Sequence, residues 1–208
     1  MFLPILFTAV LHAGAHGEAT GPAAIPAQEF RLDPSHSSIT FSVDHLGLTA
    51  YTAGFDSFDA TLTLDPLQPE AARLSATITA ASLDLPSPPE GFVDAMLDSA
   101  WFNVAAHPDI RFVSDTITLT DEDSATITGT MTLLGVSAPV TFAADLNGAI
   151  PAGEFEPHAR IGFSATGALS RSAFGMTYGV PDPGSSAGVG DLVSFTIQAE
   201  FTGTALPE

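Results

Sequence analysis

Cysteine and lysine are both absent from the 208-residue sequence. Without cysteine the chain has no disulfide, no thiolate metal site, no iron–sulfur cluster and no thiol nucleophile. All five basic residues are arginines, against 24 acidic residues, which gives a formal net charge of −19. Five scattered arginines argue against a nucleic acid partner and against an electrostatic grip on anionic lipid. We interpret the acidity as a source of solubility, with a cationic partner as the alternative.

A long apolar run is also missing, because FLPILFTAVL near the N-terminus is too short to cross a bilayer as a helix. Ala13 and Ala15 follow this run and form an A-x-A cleavage site. The pattern predicts a signal peptide over residues 1–15, a linker over 16–27 and a mature domain over 28–205, and hence a secreted protein. The basic residues that usually open a signal peptide are missing, so a buried N-terminal strand is the alternative.

Helical periodicity is scarce, and the dominant period of the sequence is two. In HSSITFSVDHL, the residues Ile39, Phe41, Val43 and His45 alternate with serine, threonine and aspartate, as in a strand with one buried face. About eight such segments follow one another, separated by turns rich in glycine, proline, aspartate and asparagine. This arrangement predicts a single all-β domain, an eight-stranded antiparallel barrel or sandwich.

One segment has helical character. Within PPEGFVDAMLDSAWFNVAAHPDI, Phe92 and Met96 share a helical face, and prolines stand on both sides of the segment. We predict one short amphipathic helix near residues 90–103. It is expected to lie across one end of the barrel, with Trp101 and Phe102 packing inward at its C-terminal end.

The inward-facing residues mix large side chains with very small ones. In an eight-stranded barrel, small inward residues favour a cavity for one small ligand over a core filled by side chains. The filled core is the alternative that the sequence leaves open. The inward residues that we predict to contact a ligand are Phe41, Val43, His45, Phe58, Leu62, Ile78, Phe112, Met131, Phe142, Phe163, Phe195 and Ile197.

Catalytic and metal-binding motifs are scarce as well. The string GVSAP at residues 135–139 lacks the second glycine of a nucleophile elbow, and DED at 121–123 is typical of a solvated hairpin tip. His36 and His45 are an odd number of residues apart, so on one regular strand they point to opposite faces. His45 is expected to be a core histidine rather than a metal ligand. We therefore predict no catalytic residue, no metal and no cofactor.

Several strings carry a resemblance to a known family. They include FRLDPSHSSITFSVDHLGL, DAMLDSAWFNVAAHPDIRFVSD, ATITGTMTLLGVSAPVTFAADL and RSAFGM, in order between about residues 30 and 201. The chain resembles the YceI-like family of bacterial secreted proteins. The resemblance implies a lipocalin-like eight-stranded barrel in the periplasm that encloses a long amphiphile. The implied ligands are a polyisoprenoid, an isoprenoid quinone or a fatty amide, which such proteins bind, carry or store.

The family pattern matches positions that we predict at the rim of the barrel, where they would hold the head of a ligand: His36, Trp101, Arg171 and Phe174. Arg171 follows a predicted strand and faces inward if alternation continues, so it needs a partner. It either pins the FGM turn by bonding strand-end carbonyls or a carboxylate, or it bonds a ligand head. Asp98, in place of a common basic residue, and the glycine–proline insert after Met176 depart from the family pattern.

The sequence therefore favours a periplasmic protein, with no enzymatic activity, that holds one isoprenoid quinone or other long-chain lipid for transport, storage or stress protection. Two alternatives stay open: a secreted stress-response interaction protein with a filled barrel, and an enzyme acting on a lipid or quinone at the barrel mouth. A homodimer is compatible with the sequence, which shows no interface.

Overall fold

The computed structural model describes residues 25–154 and 156–205. The predicted signal peptide and most of the predicted linker lie outside these residues. Strands and one short helix make up the described part, and no helix in it is long and apolar enough to cross a membrane. The elements are β1 (Gln28–Leu32), β2 (Ser38–His45), β3 (Thr49–Phe55), β4 (Phe58–Leu64), β5 (Arg73–Thr79), β6 (Leu83–Asp84), α1 (Phe92–Leu97), β7 (Asp109–Leu119), β8 (Ser124–Leu133), β9 (Val136–Ile150), β10 (His158–Ser170) and β11 (Val189–Ala205).

The strands form a closed antiparallel barrel. β1 and β2 are two parts of one interrupted strand, since both pair with β11: Leu32 lies opposite Phe201, and Ile39 lies opposite Ile197. In the same way β3 continues into β4, and β5 continues through a short turn into β6. Counted so, the barrel has eight strands and closes where the first strand meets the last. The predicted eight-stranded antiparallel barrel is confirmed.

Turn chemistry sets the register of the hairpin formed by β8 and β9. β8 and β9 are joined by Leu134 and Gly135 alone, and both have positive φ angles, 54° and 74°. Two left-handed residues give a connection whose twist matches that of the flanking strands. Gly135 of the GVSAP string thus belongs to the turn, and the other four residues of the string begin β9. The DED string forms the exposed turn between β7 and β8, as predicted.

The helical segment closes the end of the barrel where β9 begins. α1 is shorter than predicted, because the backbone becomes extended at Asp98, with ψ near 177°. Met96 and Trp101 pack against the core beside the buried Phe102, as expected. Phe92, however, is 40% exposed, so the inward face of α1 is carried by other side chains.

The half of the barrel next to α1, which we call the packed half, is filled by aromatic side chains. Ring centroids of Phe41 and Phe55 lie 5.6 Å apart, and those of Phe55 and Phe102 lie 5.8 Å apart at an interplanar angle of 89°. Such tilted and edge-to-face contacts suit aromatic quadrupoles. A second buried cluster, around Phe30 and Phe201, lines the wall of the opposite half, the open half, next to the β7–β8 turn.

Gly167 on β10 makes room for this aromatic packing. A Cβ added there would lie 2.5 Å from Cζ of Phe195 and 2.7 Å from Cβ of Phe142, closer than packed atoms tolerate. We expect Gly167→Ala to lower the free energy of unfolding by about 1–3 kcal/mol, the usual cost of overpacking. Gly162→Ala on the same strand is the control, because its nearest atom would be at an ordinary 3.9 Å. Equal urea midpoints for the two variants would contradict this account.

Candidate functional site

An apolar cavity of about 250 Å³ occupies the open half of the barrel. Its wall comes from both buried clusters and from nearly every strand of the barrel. The apolar wall residues include Ile39, Phe58, Ala60, Leu62, Leu74, Ala76, Ile78, Ile117, Ile127, Phe142, Ala144, Leu146, Ile161, Phe163, Ala165, Ile197, Ala199 and Phe201.

The burial of the wall residues shows that the interior is not filled. Phe58, Ile78, Phe163 and Ile197 all point into the barrel, yet each is only half-buried. A side chain inside a closed barrel keeps accessible surface only where no other side chain packs against it. Of the two interiors that the sequence left open, the cavity is present in the open half, whereas the packed half holds aromatic side chains in contact with one another.

The cavity opens to solvent beside the β7–β8 turn. Exposed Glu122 and Asp123 contribute to its lining there, together with Ser124 and with Pro66 and Pro69 of the β4–β5 connection. No arginine or histidine occurs among the described residues that line the cavity. The mouth is therefore acidic, and the interior behind it is apolar.

The predicted ligand contacts divide between the two halves. The residues of that set on the cavity wall are Phe58, Leu62, Ile78, Phe142, Phe163 and Ile197. The others lie outside the described wall: Phe41, Val43, His45, Phe112, Met131 and Phe195. His45 is exposed, so the prediction that it is a core histidine is wrong. It shares the alternation of the inward residues of β2 in sequence, but it is the last residue of the strand and lies at the end of the barrel.

Arg171 is buried at the end of the barrel opposite the mouth, with 3% of its surface exposed. Its guanidinium donates four hydrogen bonds to backbone carbonyls: 2.9 Å to Gly190, 3.0 Å to Met176, 2.9 Å to Tyr178 and 2.8 Å to Val189. These bonds tie the FGM turn to the start of β11. Of the two roles considered for Arg171, the structure shows the tether to strand-end carbonyls.

Two other predicted rim residues share this position with Arg171. The Trp101 ring lies 5.2 Å from the guanidinium carbon, within range of a cation–π contact, and Phe174 is fully buried beside the turn. Burial lowers the pKa of Arg171, while the Asp191 carboxylate opposes that shift. These residues lie at a rim of the barrel, but at the end opposite the cavity mouth, and their contact with a ligand head stays a prediction.

His36, the remaining predicted rim residue, lies outside the barrel in an ionic cluster. Its Nδ1 is 2.9 Å from Asp33, and Arg160 bonds Asp33, Glu156 and Glu200. Ligand atoms of Asp33, His36 and Glu200 lie within 4.8 Å of one another, close enough for a metal ion. The guanidinium of Arg160 already donates hydrogen bonds to both carboxylates, and we interpret the cluster as an ion-pair network that joins β10, β11 and the β1–β2 connection.

The Asp33 carboxylate raises the pKa of His36 above its ordinary value of 6.5, chiefly through their hydrogen bond. The stabilisation from this pair is therefore fully present below pH 6.5 and is lost as the pH rises through the folded-state pKa. We expect an NMR titration of His36 to show a midpoint above 6.5, and Asp33→Asn to return that midpoint towards 6.5. A wild-type midpoint at or below 6.5 would contradict the pairing.

The residues at the mouth were missed by sequence reasoning. Pro66, Pro69, Glu122 and Asp123 lie in the connections between strands, and Ser124 is the first residue of β8, so the alternation of apolar and polar residues gives no information on them. Only the register of the closed barrel shows that these two turns meet at one end. The small wall residues, among them Ala144 and Ala165, did carry a signal, since they alternate with exposed residues on their strands.

The closed antiparallel barrel with an apolar pocket at one end defines the class of small β-barrels that can enclose a ligand. Within that class the chain belongs to the YceI-like family, because the sequence profile of the YceI-like domain matches residues 30–201. A UPF0312 protein of Pseudomonas putida (strain W619) is 34% identical over 172 residues, which cover 80% of this chain and 83% of the relative.

Solved structures share the fold. BcnA of Burkholderia cenocepacia has a TM-score of 0.67 and 22% identity, and the match covers 81% of this chain and 98% of BcnA. A polyisoprenoid binding domain from Saccharophagus degradans, implicated in plant cell wall breakdown, has a TM-score of 0.62 and 12% identity, with 84% and 98% covered. At these identities the likeness shows a common barrel.

Proposed function

We propose that this protein binds the hydrocarbon tail of one isoprenoid or acyl amphiphile in the cavity of the open half. The observation that carries the proposal is the apolar cavity with half-buried Phe58, Ile78, Phe163 and Ile197 on its wall. The proposal is also supported by the shared fold of the S. degradans domain, which is described as binding polyisoprenoids.

The chemistry of the wall suits a hydrocarbon. A cavity lined by aliphatic and aromatic side chains stays dry, because a water molecule inside it would lack polar partners. A bound tail fills that space, and each methylene moved from water into it contributes about 0.8 kcal/mol. The tail therefore supplies most of the binding free energy, and the affinity follows how much of the tail enters.

The charge at the mouth selects the head of the ligand. Glu122 and Asp123 lie where the head would emerge, and the lining residues that the structure describes include no positively charged side chain. An anionic head such as a diphosphate or a fatty acid carboxylate would be repelled there. A neutral head, as in a quinone, a prenol or a fatty amide, avoids that cost.

We further propose that the protein acts in the periplasm, after cleavage of the signal peptide predicted over residues 1–15, and that it carries or stores its lipid there. A barrel that shields the tail while the head stays at an acidic, solvated mouth suits both roles. We propose a binding protein rather than an enzyme, since the cavity wall is apolar and Ser124 at its mouth donates its hydroxyl to the solvent-exposed Asp145 carboxylate, at 2.6 Å, rather than to a group inside the cavity.

The test is mass spectrometry of the intact protein purified from its native host, together with its organic extract. We expect one neutral isoprenoid or acyl lipid per chain. In a second arm, lipid-free protein receives geranylgeraniol or geranylgeranyl diphosphate, and we expect the alcohol to bind about tenfold more tightly. A protein that is empty when purified and excludes both compounds would overturn the proposal.

A further inference from the structure

We propose that a layer of three phenylalanines, Phe112, Phe142 and Phe195, forms the floor of the cavity and limits the length of tail that can enter. This inference rests on the proposed lipid binding. It assigns a specificity role to Phe142, whose ring faces the cavity while the other two rings hold it in place.

Beyond a certain level along the barrel axis, the inward-facing residues no longer line the cavity, and this level marks the floor. On β8, Ala125 and Ile127 belong to the wall, whereas Gly129, the next inward position, does not. On β10 the wall includes Ala165 but not Gly167, and on β11 it includes Ile197 but not Phe195. Since these strands are paired neighbours or face each other across the barrel, the cavity ends at one level, near the middle of the barrel.

The rings that form the floor fit tightly together. The ring centroid of Phe142 lies 5.3 Å from that of Phe112 and 5.9 Å from that of Phe195. Phe112 lies over Gly129, and Phe195 lies over Gly167, where an added Cβ would overlap each ring. The two glycines thus provide the places into which the outer rings fold, and the packed arrangement fixes Phe142 from both sides.

The volume above the floor sets the length of the buried tail. A cavity of about 150 Å³ in another protein holds one benzene, so about 250 Å³ has space for on the order of ten carbons. That is about two isoprene units. A longer tail would extend back through the mouth between Pro66 and Ser124, where its further carbons stay largely in water and add little to the affinity.

Phe142→Ala removes the central ring and deepens the cavity into the packed half. In the test, lipid-free protein receives an equimolar mixture of three isoprenoid alcohols, geraniol, farnesol and geranylgeraniol, which have 10, 15 and 20 carbons. The bound alcohols are then quantified by mass spectrometry after rapid removal of the free ones. The measured quantity is the ratio of bound geranylgeraniol to bound geraniol in the variant, divided by the same ratio in the wild type.

We expect this double ratio to rise at least tenfold for Phe142→Ala, because each additional buried methylene contributes about fourfold in affinity. Phe163→Ala is the matched control: Phe163 lies on the wall nearer the mouth, so its removal widens the cavity without deepening it. Its double ratio should stay within about twofold of one. Phe142→Leu, which keeps more of the packing, is the second variant if circular dichroism shows that Phe142→Ala does not fold.

The outcomes separate the two proposals. A wild type that binds none of the three alcohols overturns the proposed function, and the floor with it. Binding of all three with a double ratio near one for both Phe142 variants overturns the floor alone and leaves lipid binding standing. A rise for Phe142→Ala matched by an equal rise for Phe163→Ala also overturns the floor, since general widening would then explain it.

Discussion

Arg171→Met should lower the free energy of unfolding by about 3–5 kcal/mol, because several hydrogen bonds from a buried charged group are lost together and each contributes about 1.5–3 kcal/mol. The substitution keeps much of the apolar stem but leaves the carbonyls of Met176, Tyr178, Val189 and Gly190 without their donor. A buried carbonyl without a partner costs about 1–3 kcal/mol. The loss is therefore expected even though the substitution removes no salt bridge.

Urea denaturation followed by circular dichroism measures this effect, with fluorescence of Trp101 as a second probe. Trp101 is the sole tryptophan of the chain and lies against the guanidinium, so it reports directly on this end of the barrel. Arg111→Met is the control, because its side chain is 65% exposed and, within residues 25–154 and 156–205, forms an ion pair with Asp109 alone. We expect a change of less than about 0.5 kcal/mol there. Equal losses for the two variants would show that the carbonyl tether contributes no more than a surface arginine.

Ala144→Phe should abolish lipid binding while the barrel stays folded. Ala144 is buried on the cavity wall, and a phenyl ring placed there would occupy the space that the tail needs. We expect at least a tenfold fall in bound lipid per chain, since several methylenes would lose their place at about 0.8 kcal/mol each. The measurement is the lipid-to-protein ratio in intact-protein mass spectra.

Ala143→Phe is the matched control, since Ala143 is the neighbouring residue on β9 and is exposed on the outer face. It should retain the stoichiometry of the wild type. If Ala144→Phe retained full lipid as well, the ligand would have to bind elsewhere than in the cavity of the open half.

The barrel was predictable because a strand with one buried face repeats every two residues. Ile39 to Val43 on β2 and Ile161 to Leu169 on β10 follow this rule and face inward. The alternation, however, does not show whether an inward-facing residue lies in the open half or in the packed half. Phe58 and Phe41 both point inward, but Phe58 lies on the cavity wall and Phe41 lies in the packed half against Phe55. That difference depends on ring orientation and on pairing across the barrel.

The role of Arg171 could also be predicted from the sequence only in part. Its inward direction near the end of a strand and its need for a partner followed from the sequence. The choice between a ligand head and backbone carbonyls did not, because it depends on the path of residues 176–190 around the guanidinium. The sequence also could not show at which end the barrel opens, because the mouth forms where two turns that are distant in sequence meet.

The same strands form the packed half and the open half of the barrel, and the two halves differ in role. The aromatic layers beside α1 anchor every long strand at one end, so the fold does not depend on what occupies the other end. Removal of the proposed ligand should accordingly leave the melting cooperative and affect mainly the exchange of amide protons near the β7–β8 turn. Substitutions of wall residues such as Ala144 and Phe163 can then change which ligand fits, while the anchored end keeps the barrel folded.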